Sequence, residues 1–311
     1  MLRHQPAGGR SPSHRGFQGV APWATLWLTI TARTGPRRTR RGLVTLRDAY
    51  RVRMKRAVFA LCGLVVAALL APAGPAAAEP RPHFVALSSV DSTIIQDIRY
   101  ATPHNFTGRV VTGYQAPLCL LTVPAARALH RVQQGLLHRG YSLKVYDCYR
   151  PQRAVDRFVA WSGDPGDHAM KAEFYPEVDK SRLFDEGYIA RRSGHSRGST
   201  VDLSIVRLPA TPTRPYRPGE HLTSCYAPKA QRFPDASIDM GTGFDCFDER
   251  AHTLDGRITG TAHTDRLWLK RLMEGAGFTG IPEEWWHFTY RQEPYPDTYF
   301  DVPVSPTEAG R

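Results

Sequence analysis

The chain has 311 residues, with 41 Lys and Arg against 29 Asp and Glu, and its formal net charge is +12. A hydrophobic content of 41% is typical of globular proteins and excludes collagen, coiled coil and wholesale disorder. The first 56 residues hold 13 basic residues and one acid, whereas residues 57–311 hold 28 of each. The charge therefore gives no reason to expect a nucleic-acid partner.

Residues 58–72 form a short apolar run. Lys55 and Arg56 precede the run, and a stretch of small residues at 71–78 follows it. A basic region, an apolar region and a small-residue end are the three parts of a secretory signal. Because a membrane span needs about 20 apolar residues, an anchor is the weaker interpretation. We predict a signal peptide at 54–78, a secreted protein, and no membrane association after cleavage.

The segment before this signal, residues 1–53, is rich in Arg, Gly and Pro and shows no apolar period. The pair Arg40 and Arg41 loosely matches a twin-arginine signal, but the apolar run lies well downstream of it. Met54 is a plausible start of translation. We interpret residues 1–53 as a disordered leader or a misassigned upstream extension, and residues 79–311 as a single domain.

Four cysteines follow the predicted signal: Cys119, Cys148, Cys225 and Cys246. An even count in an exported chain suggests two disulfides, which three connectivities allow. Neighbours in sequence favour Cys119–Cys148 and Cys225–Cys246, and each bond would close a loop of about 20–30 residues, worth about 3 kcal/mol. Four buried thiols are the alternative. No C-x-x-C spacing is present, which disfavours a thiolate metal site.

Helices and a strand are predicted in the first half of the domain. A helix is expected at 123–138, with Pro124 in its first turn and Gly140 after its last apolar residue. Alternating apolar residues predict a strand at 141–147. Two further helices are predicted, at 151–161 and at 180–190.

The second half mixes strands, loops and one helix. A strand is predicted at 200–206, where three apolar residues share one face and Asp202 lies on the other. The proline-rich stretch 207–237 reads as an ordered insertion or lid. An amphipathic helix is predicted at 265–274, and residues 284–290 are β-prone. Since helices and strands do not follow a βαβαβ rhythm, we predict an α+β fold with an antiparallel sheet.

The first chemical motif is SGHSRGSTVD at residues 193–202. Gly194 and Gly198 let the chain turn sharply around His195 before it enters a strand with Asp202 on the polar face. A loop histidine and a strand aspartate can thus converge, and both are suitable zinc ligands. The alternative is a loop histidine that happens to lie beside a strand-edge aspartate.

The second motif is EEWWH at residues 283–287. A zinc peptidase needs a third ligand and a carboxylate base, which His287 and Glu284 could supply. In a regular strand a spacing of three places two side chains on opposite faces, so one of them must lie on a turn or bulge. Pro282 makes Glu284 the candidate. An aromatic core strand with exposed acids is the alternative.

The third motif is DCYRP at residues 147–151, at a strand-to-helix junction. Arg150 could neutralise the oxyanion that forms when water attacks a peptide carbonyl. The alternative is a surface arginine that packs near the start of a helix.

Taken together, YRP at 149–151, SGHSRGSTVD and EWWH resemble the VanX-type D-alanyl-D-alanine dipeptidases. These zinc peptidases are related to D-Ala-D-Ala carboxypeptidases and to the hedgehog fold. The segments 97–102 and 239–245 also resemble this family, and the likeness runs from about residue 84 to 300. The resemblance implies a hedgehog/DD-peptidase-like α+β fold with a central antiparallel sheet and flanking helices.

The resemblance also implies roles for the matching residues. His195, Asp202 and His287 would bind one zinc ion per chain. Glu284 would be the general base, and Arg150 would stabilise the transition state.

Two further positions match residues that contact the substrate. Asp245 resembles the family carboxylate that holds the substrate's free amino group, and Ser193 resembles a pocket-wall position. The implied reaction is hydrolysis of D-Ala-D-Ala or a related cell-wall dipeptide. Two alternatives stay open: a carboxypeptidase or endopeptidase acting on peptidoglycan stem peptides, and a non-catalytic wall-binding module on the same fold.

Overall fold

The structure is a computed structural model, and it describes residues 81–310. The leader predicted at 1–53 and the signal peptide predicted at 54–78 lie outside the described residues. The described part contains seven strands: β1 (Phe84–Ala86), β2 (Ile95–Gln96), β3 (Leu120–Thr122), β4 (Tyr141–Asp147), β5 (Thr200–Arg207), β6 (Phe278–Gly280) and β7 (His287–Tyr290). Its α-helices are α1 (Leu87–Val90), α2 (Val123–Leu137), α3 (Gln152–Ser162), α4 (Lys171–Phe174) and α5 (Gly260–Gly275).

Five of the strands form the main sheet, in the order β2-β4-β5-β7-β6, and β1 pairs with β3 in a separate antiparallel ribbon. The α+β prediction is confirmed. The main sheet is antiparallel except at one edge, where β2 runs parallel to β4. This exception arises because the chain passes through α2 between these two strands, and a helical crossover returns the chain in the same direction.

Helix α2 covers the sheet beside β4. Its apolar face, which includes Leu129 and Leu136, is buried in the core with Leu143 and Val145 of β4. The buried Gln133 joins the two elements, because its Oε1 accepts from the backbone N of Leu143 at 2.8 Å. Helix and strand agree with the predicted 123–138 and 141–147 to within one residue.

The pairing of β4, β5 and β7 places polar residues in one row across the sheet. Asp202 of β5 lies opposite Asp147 on one side and opposite His287 on the other. The β4 register shifts between Val145 and Asp147, so the end of β4 is turned relative to its start. The row of Asp147, Asp202 and His287 therefore lies at the end of β4, where the chain leaves the sheet.

The prediction of a helix at 180–190 is wrong. Only the turn Lys180–Arg182 is helical, and it is a 3₁₀ helix. Lys180 Nζ is buried and donates to two carbonyl oxygens of a preceding loop, and Gly187 adopts a φ of +80°. These contacts tie the segment to its neighbours in an irregular path, which overrides its helical pattern. Elsewhere the predicted elements differ at their ends: α5 begins at Gly260, and β7 begins only at His287.

Both disulfides favoured by the sequence are present, Cys119–Cys148 and Cys225–Cys246, so the alternative of four free thiols is wrong. The second bond ties the 207–237 insertion to the following loop. Disulfides are typical of proteins that fold outside the cytoplasm. Across residues 81–310, no helix has the length and apolar character needed to cross a bilayer.

Candidate metal and substrate site

A 3₁₀ turn, Gly194–Arg197, presents His195 just before β5. Ser193 begins this turn, because its Oγ accepts from the backbone N of His195 at 3.3 Å. Gly198 ends it with a φ of +79°, and a Cβ at this position would lie 2.1 Å from the Phe84 ring. Only glycine fits there. The glycine predicted to permit the turn thus also makes room for the core beneath it.

The turn and the two strands bring His195, Asp202 and His287 together. Asp202 Oδ1 is 3.2 Å from His195 Nε2 and 3.1 Å from His287 Nδ1, and these two nitrogens are 3.2 Å apart. Ligands about 2.1 Å from a tetrahedral zinc ion lie roughly 3.4 Å from one another. The three atoms therefore fit one small metal ion, and their chemistry, two imidazoles and a carboxylate, suits zinc.

The surroundings of His195 direct one nitrogen toward this cluster. Its Nδ1 lies 2.7 Å from the carbonyl oxygen of Cys148, which can only accept a hydrogen bond. Nδ1 therefore carries the proton, and Nε2 presents a lone pair. Burial lowers the pKa of His195, which favours the neutral, ligating form.

Asp202 is held as an anion. Burial alone would raise the pKa of Asp202, but protonated imidazole at the adjacent His195 and His287 outweighs it and lowers the pKa below its ordinary value, and a bound cation would act in the same direction. A carboxylate that stays ionised while buried is suited to bind a cation.

Glu284 lies in the turn before β7, as the three-residue spacing to His287 requires. Its Oε2 is 3.5 Å from His287 Nδ1, so it borders the cluster. The buried Trp285 and Trp286 fix this turn, and Trp285 Nε1 donates to Thr242 Oγ1 at 2.8 Å. Burial raises the pKa of Glu284 to about 7.

Arg150 is not a surface residue: its side chain is only 12% exposed. Its Nε donates to Asp147 Oδ2 at 2.9 Å, and its Nη2 reaches Asp202 Oδ2 at 3.5 Å. The guanidinium also lies over the Tyr100 ring, 4.8 Å from the ring centre. These contacts hold a positive charge beside the proposed metal ligands.

Asp245 is a buried residue whose carboxyl group is close enough to Asp202 to feel its charge. It accepts a hydrogen bond from Tyr100 Oη at 2.8 Å. Burial, together with the negative charge of Asp202, raises the pKa of Asp245 well above its ordinary value. A cation next to this carboxyl group would reverse that shift.

A cavity of about 160 Å³ joins these groups. All seven residues proposed from the sequence for metal binding, catalysis or substrate contact line it: Arg150, Ser193, His195, Asp202, Asp245, Glu284 and His287. The aromatic and aliphatic part of its lining includes Phe158, Tyr188 and Ile189.

Sequence reasoning assigned no role to three residues that support this site. Asp147 is buried and bonds both Arg150 and the Tyr114 hydroxyl, whose distance to Oδ1 is 2.6 Å. Tyr100 bonds Asp245. The available signals were weak: Asp147 belongs to the DCYRP motif, in which only Arg150 suggested chemistry, and Tyr100 belongs to a segment that carried only an overall likeness.

Comparison with known proteins agrees with this geometry. A family model described as D-Ala-D-Ala dipeptidase matches residues 81–211 and 235–305, and it omits most of the proline-rich insertion. The D-alanyl-D-alanine dipeptidase of Streptomyces coelicolor is 38% identical over 222 residues, which cover 71% of this chain and 98% of the relative. That of Enterococcus faecium is 35% identical over 221 residues, with the same coverage.

A more distant relative, the D-alanyl-D-alanine dipeptidase of Escherichia coli, is 31% identical over 196 residues, which cover 63% of this chain and 78% of the relative. The resemblance noted in the sequence is confirmed, and so is the hedgehog/DD-peptidase type of α+β fold that it implied. The chain belongs to the D-Ala-D-Ala dipeptidase family of metallopeptidases.

Proposed function

We propose that the protein is a zinc-dependent dipeptidase that hydrolyses D-Ala-D-Ala outside the cytoplasm. The observation that carries this proposal is the cluster of His195, Asp202 and His287 in one cavity with Glu284 and Arg150. A metal site, a carboxylate base and a fixed cation are the parts that metal-assisted peptide hydrolysis requires.

His195, Asp202 and His287 would hold the zinc ion, one per chain, through Nε2, Oδ1 and Nδ1. A bound zinc ion supplies Lewis acidity: it polarises the peptide carbonyl and makes a water molecule more acidic. Three protein ligands leave a coordination position open, which is the pattern of catalytic rather than structural zinc sites.

Glu284 would be the general acid and base. Its Oε2 borders the cluster at 3.5 Å from His287 Nδ1, within reach of a water molecule that attacks the substrate there. It would take a proton from that water and pass it to the leaving amine.

Arg150 would stabilise the negative charge that develops on the carbonyl oxygen. Asp147 and the Tyr100 ring hold its guanidinium in place before the substrate arrives, so little reorganisation is needed during the reaction.

Asp245 and Tyr100 would select a substrate with a free amino group. Burial disfavours the ionised form of Asp245, and the ammonium group of a dipeptide would supply the positive partner that a buried carboxylate needs. Ser193 would form part of the pocket wall. In a stem peptide, the amino group of the penultimate residue is part of a peptide bond and is not free. An amine anchor at Asp245 therefore favours the dipeptidase over the carboxypeptidase or endopeptidase alternative.

A non-catalytic wall-binding module has no need of a base, and the presence of Glu284 beside the ligand cluster argues against that alternative. The signal peptide predicted at 54–78 and the two disulfides support export, with residues 79–311 as the mature domain. Amino-terminal sequencing of the exported protein should then identify Glu79 as its first residue.

The purified protein should be incubated with D-Ala-D-Ala, with N-acetyl-D-Ala-D-Ala and with a peptidoglycan stem pentapeptide. We expect the free dipeptide to be cleaved well and the other two poorly. Preferred cleavage of the pentapeptide would favour the carboxypeptidase or endopeptidase instead, and no hydrolysis of any substrate by zinc-loaded protein would favour the binding module.

A further inference from the structure

Each of the two disulfides lies next to a residue of the site. Cys148 is flanked by Asp147 and is two residues before Arg150, and Cys246 directly follows Asp245. The first bond leads back to Cys119, immediately before β3, and the second leads to Cys225 in the proline-rich insertion. All four cysteines are buried. The two cross-links thus reach the site from different parts of the chain.

The Cys119–Cys148 bond holds the segment that supports the catalytic groups. The carbonyl oxygen of Cys148 is the hydrogen-bond acceptor of His195 Nδ1, and the backbone N of Arg150 donates to the carbonyl oxygen of His195 at 3.3 Å. Next to the disulfide, Tyr149 N donates to Leu120 O at 2.9 Å. The orientation of one proposed zinc ligand and the path of the chain to Arg150 therefore both depend on the position of Cys148.

The Cys225–Cys246 bond holds the loop that carries Asp245. Asp245 has a φ of +55°, in the left-handed region that residues other than glycine enter only when their surroundings impose it. Backbone bonds flank the cross-link on both sides: Gly243 N donates to Cys225 O, and Phe247 N donates to Phe174 O, each at 2.7 Å. The disulfide and these two bonds fix the loop immediately before and after Asp245.

We infer that the two disulfides are positioning elements of the active site with separate tasks. Cys119–Cys148 positions Arg150 and His195, and so serves turnover and metal retention. Cys225–Cys246 positions Asp245, and so serves binding of the substrate amine. This inference rests on the proposed function, since it takes Asp245 as the amine anchor.

Two double variants separate these tasks: Cys119→Ala with Cys148→Ala, and Cys225→Ala with Cys246→Ala. We expect the second to raise KM for D-Ala-D-Ala by roughly 10-fold to 10²-fold, the scale of a displacement of about 1 Å, with kcat and zinc content near wild type. We expect the first to lower kcat by a similar factor and to release zinc faster to a chelator, with little change in KM.

A double-mutant cycle distinguishes positioning from general stabilisation. In an Asp245→Ala background, removal of Cys225–Cys246 should add little further increase in KM, because the group that it positions is gone. Removal of Cys119–Cys148 in that background should still lower kcat in full. Thermal unfolding of each variant is measured alongside, and assays are run well below the lowest midpoint.

Three results would overturn the inference: the same change in kcat and KM for both variants, a full additional loss in the Asp245→Ala background, or wild-type kinetics in both. If a double variant does not fold, Cys225→Ala or Cys119→Ala alone, which leaves the other sulfur in the core, is measured in the same way. If these single variants also fail to fold, the bonds are requirements of the fold, and a positioning role is contradicted.

The proposed function fails if the wild-type protein cleaves no dipeptide. If the wild-type protein cleaves the dipeptide but the two double variants show the same changes in kcat and KM, only this inference fails.

Discussion

The proposed metal side and the proposed amine side of the cavity are built in different ways. On the metal side, Asp202 and His287 are paired residues of neighbouring strands, so the register of the sheet sets their separation. On the amine side, Tyr100 lies in the 3₁₀ turn Arg99–Ala101 and Asp245 lies in a loop 145 residues later, and the two meet through one hydrogen bond of 2.8 Å. A disulfide closes the loop next to Asp245.

This difference separates chemistry from recognition. Strand pairing sets the distance between Asp202 and His287, which suits groups that are proposed to share one metal ion. Loops depend on contacts between distant segments, which leaves them freer to change with the substrate. Changes on the metal side should therefore abolish turnover, whereas changes on the amine side should mainly weaken substrate binding.

The largest effect is expected from His287→Ala. It removes a proposed zinc ligand held on a strand, and because a Lewis acid contributes several kcal/mol to such a reaction, activity should fall by at least about 10³-fold. Elemental analysis should find little zinc in the purified variant. His168→Ala, at an exposed position outside the cavity, is the control and should keep both zinc and activity. Full zinc content in His287→Ala would rule out this ligand.

Glu284→Gln tests the same side without removing a ligand. The amide keeps the size of the side chain but cannot accept a proton, so turnover per bound zinc should fall by at least about 10²-fold. Zinc content should stay at the wild-type level. The neighbouring Glu283 does not line the cavity, so Glu283→Gln is a matched control, and its activity should stay close to wild type. Loss of zinc from Glu284→Gln would make Glu284 a ligand rather than the base.

Asp245→Ala tests the amine side. Loss of a charge-assisted hydrogen bond of about 1.5–3 kcal/mol should raise KM for D-Ala-D-Ala by roughly 10-fold to 10²-fold. Zinc content should not change. N-acetyl-D-Ala-D-Ala, which has no ammonium group, should be affected little. Equal losses for both substrates would show that Asp245 does not bind the amine.

Asp97→Asn should give the smallest effect on activity, since Asp97 supports the segment that carries Tyr100 without lining the cavity. Burial would raise the pKa of Asp97, but Arg99 at 3.0 Å and Lys144 at 2.8 Å outweigh it and lower the pKa to about 2. The ionised group therefore stabilises the fold above pH 3.8, and this contribution disappears as the pH falls toward 2.

Denaturant unfolding at several pH values measures this effect. Asp97→Asn should lower the free energy of unfolding by on the order of 2 kcal/mol at neutral pH, and the difference from wild type should shrink below pH 4. Asp185→Asn, at an exposed position, is the control for the effect of an Asp-to-Asn change at the surface. A difference that stays constant down to pH 2 would contradict the ion-pair explanation.

The two sides also differ in how far the sequence could predict them. The convergence of His195 and Asp202 follows from two glycines and an alternating strand, and the turn at Glu284 follows from its spacing to His287. The contact of Tyr100 with Asp245 could not be derived in this way, since no local pattern specifies a contact between segments so far apart in the chain. The parallel β2 edge was missed for the same reason, because Ile95–Gln96 is too short to show a period.

The wrong prediction of a helix at 180–190 also shows that contacts between distant segments cannot be derived from a local pattern. Its local pattern is helical, but the buried Lys180 donates to Asp164 O and Asp167 O, and these contacts select a different path. Helix α2 and strand β4 were predictable because their apolar periodicity and their packing agree.

Zinc titration of the metal-free protein, with hydrolysis of D-Ala-D-Ala as the readout, tests the central claim most directly. Activity should be absent without metal, rise in proportion to added zinc, and level off at one equivalent per chain, as one His195–Asp202–His287 site predicts. Hydrolysis by the metal-free protein, or a wild-type titration curve in His287→Ala, would contradict the account.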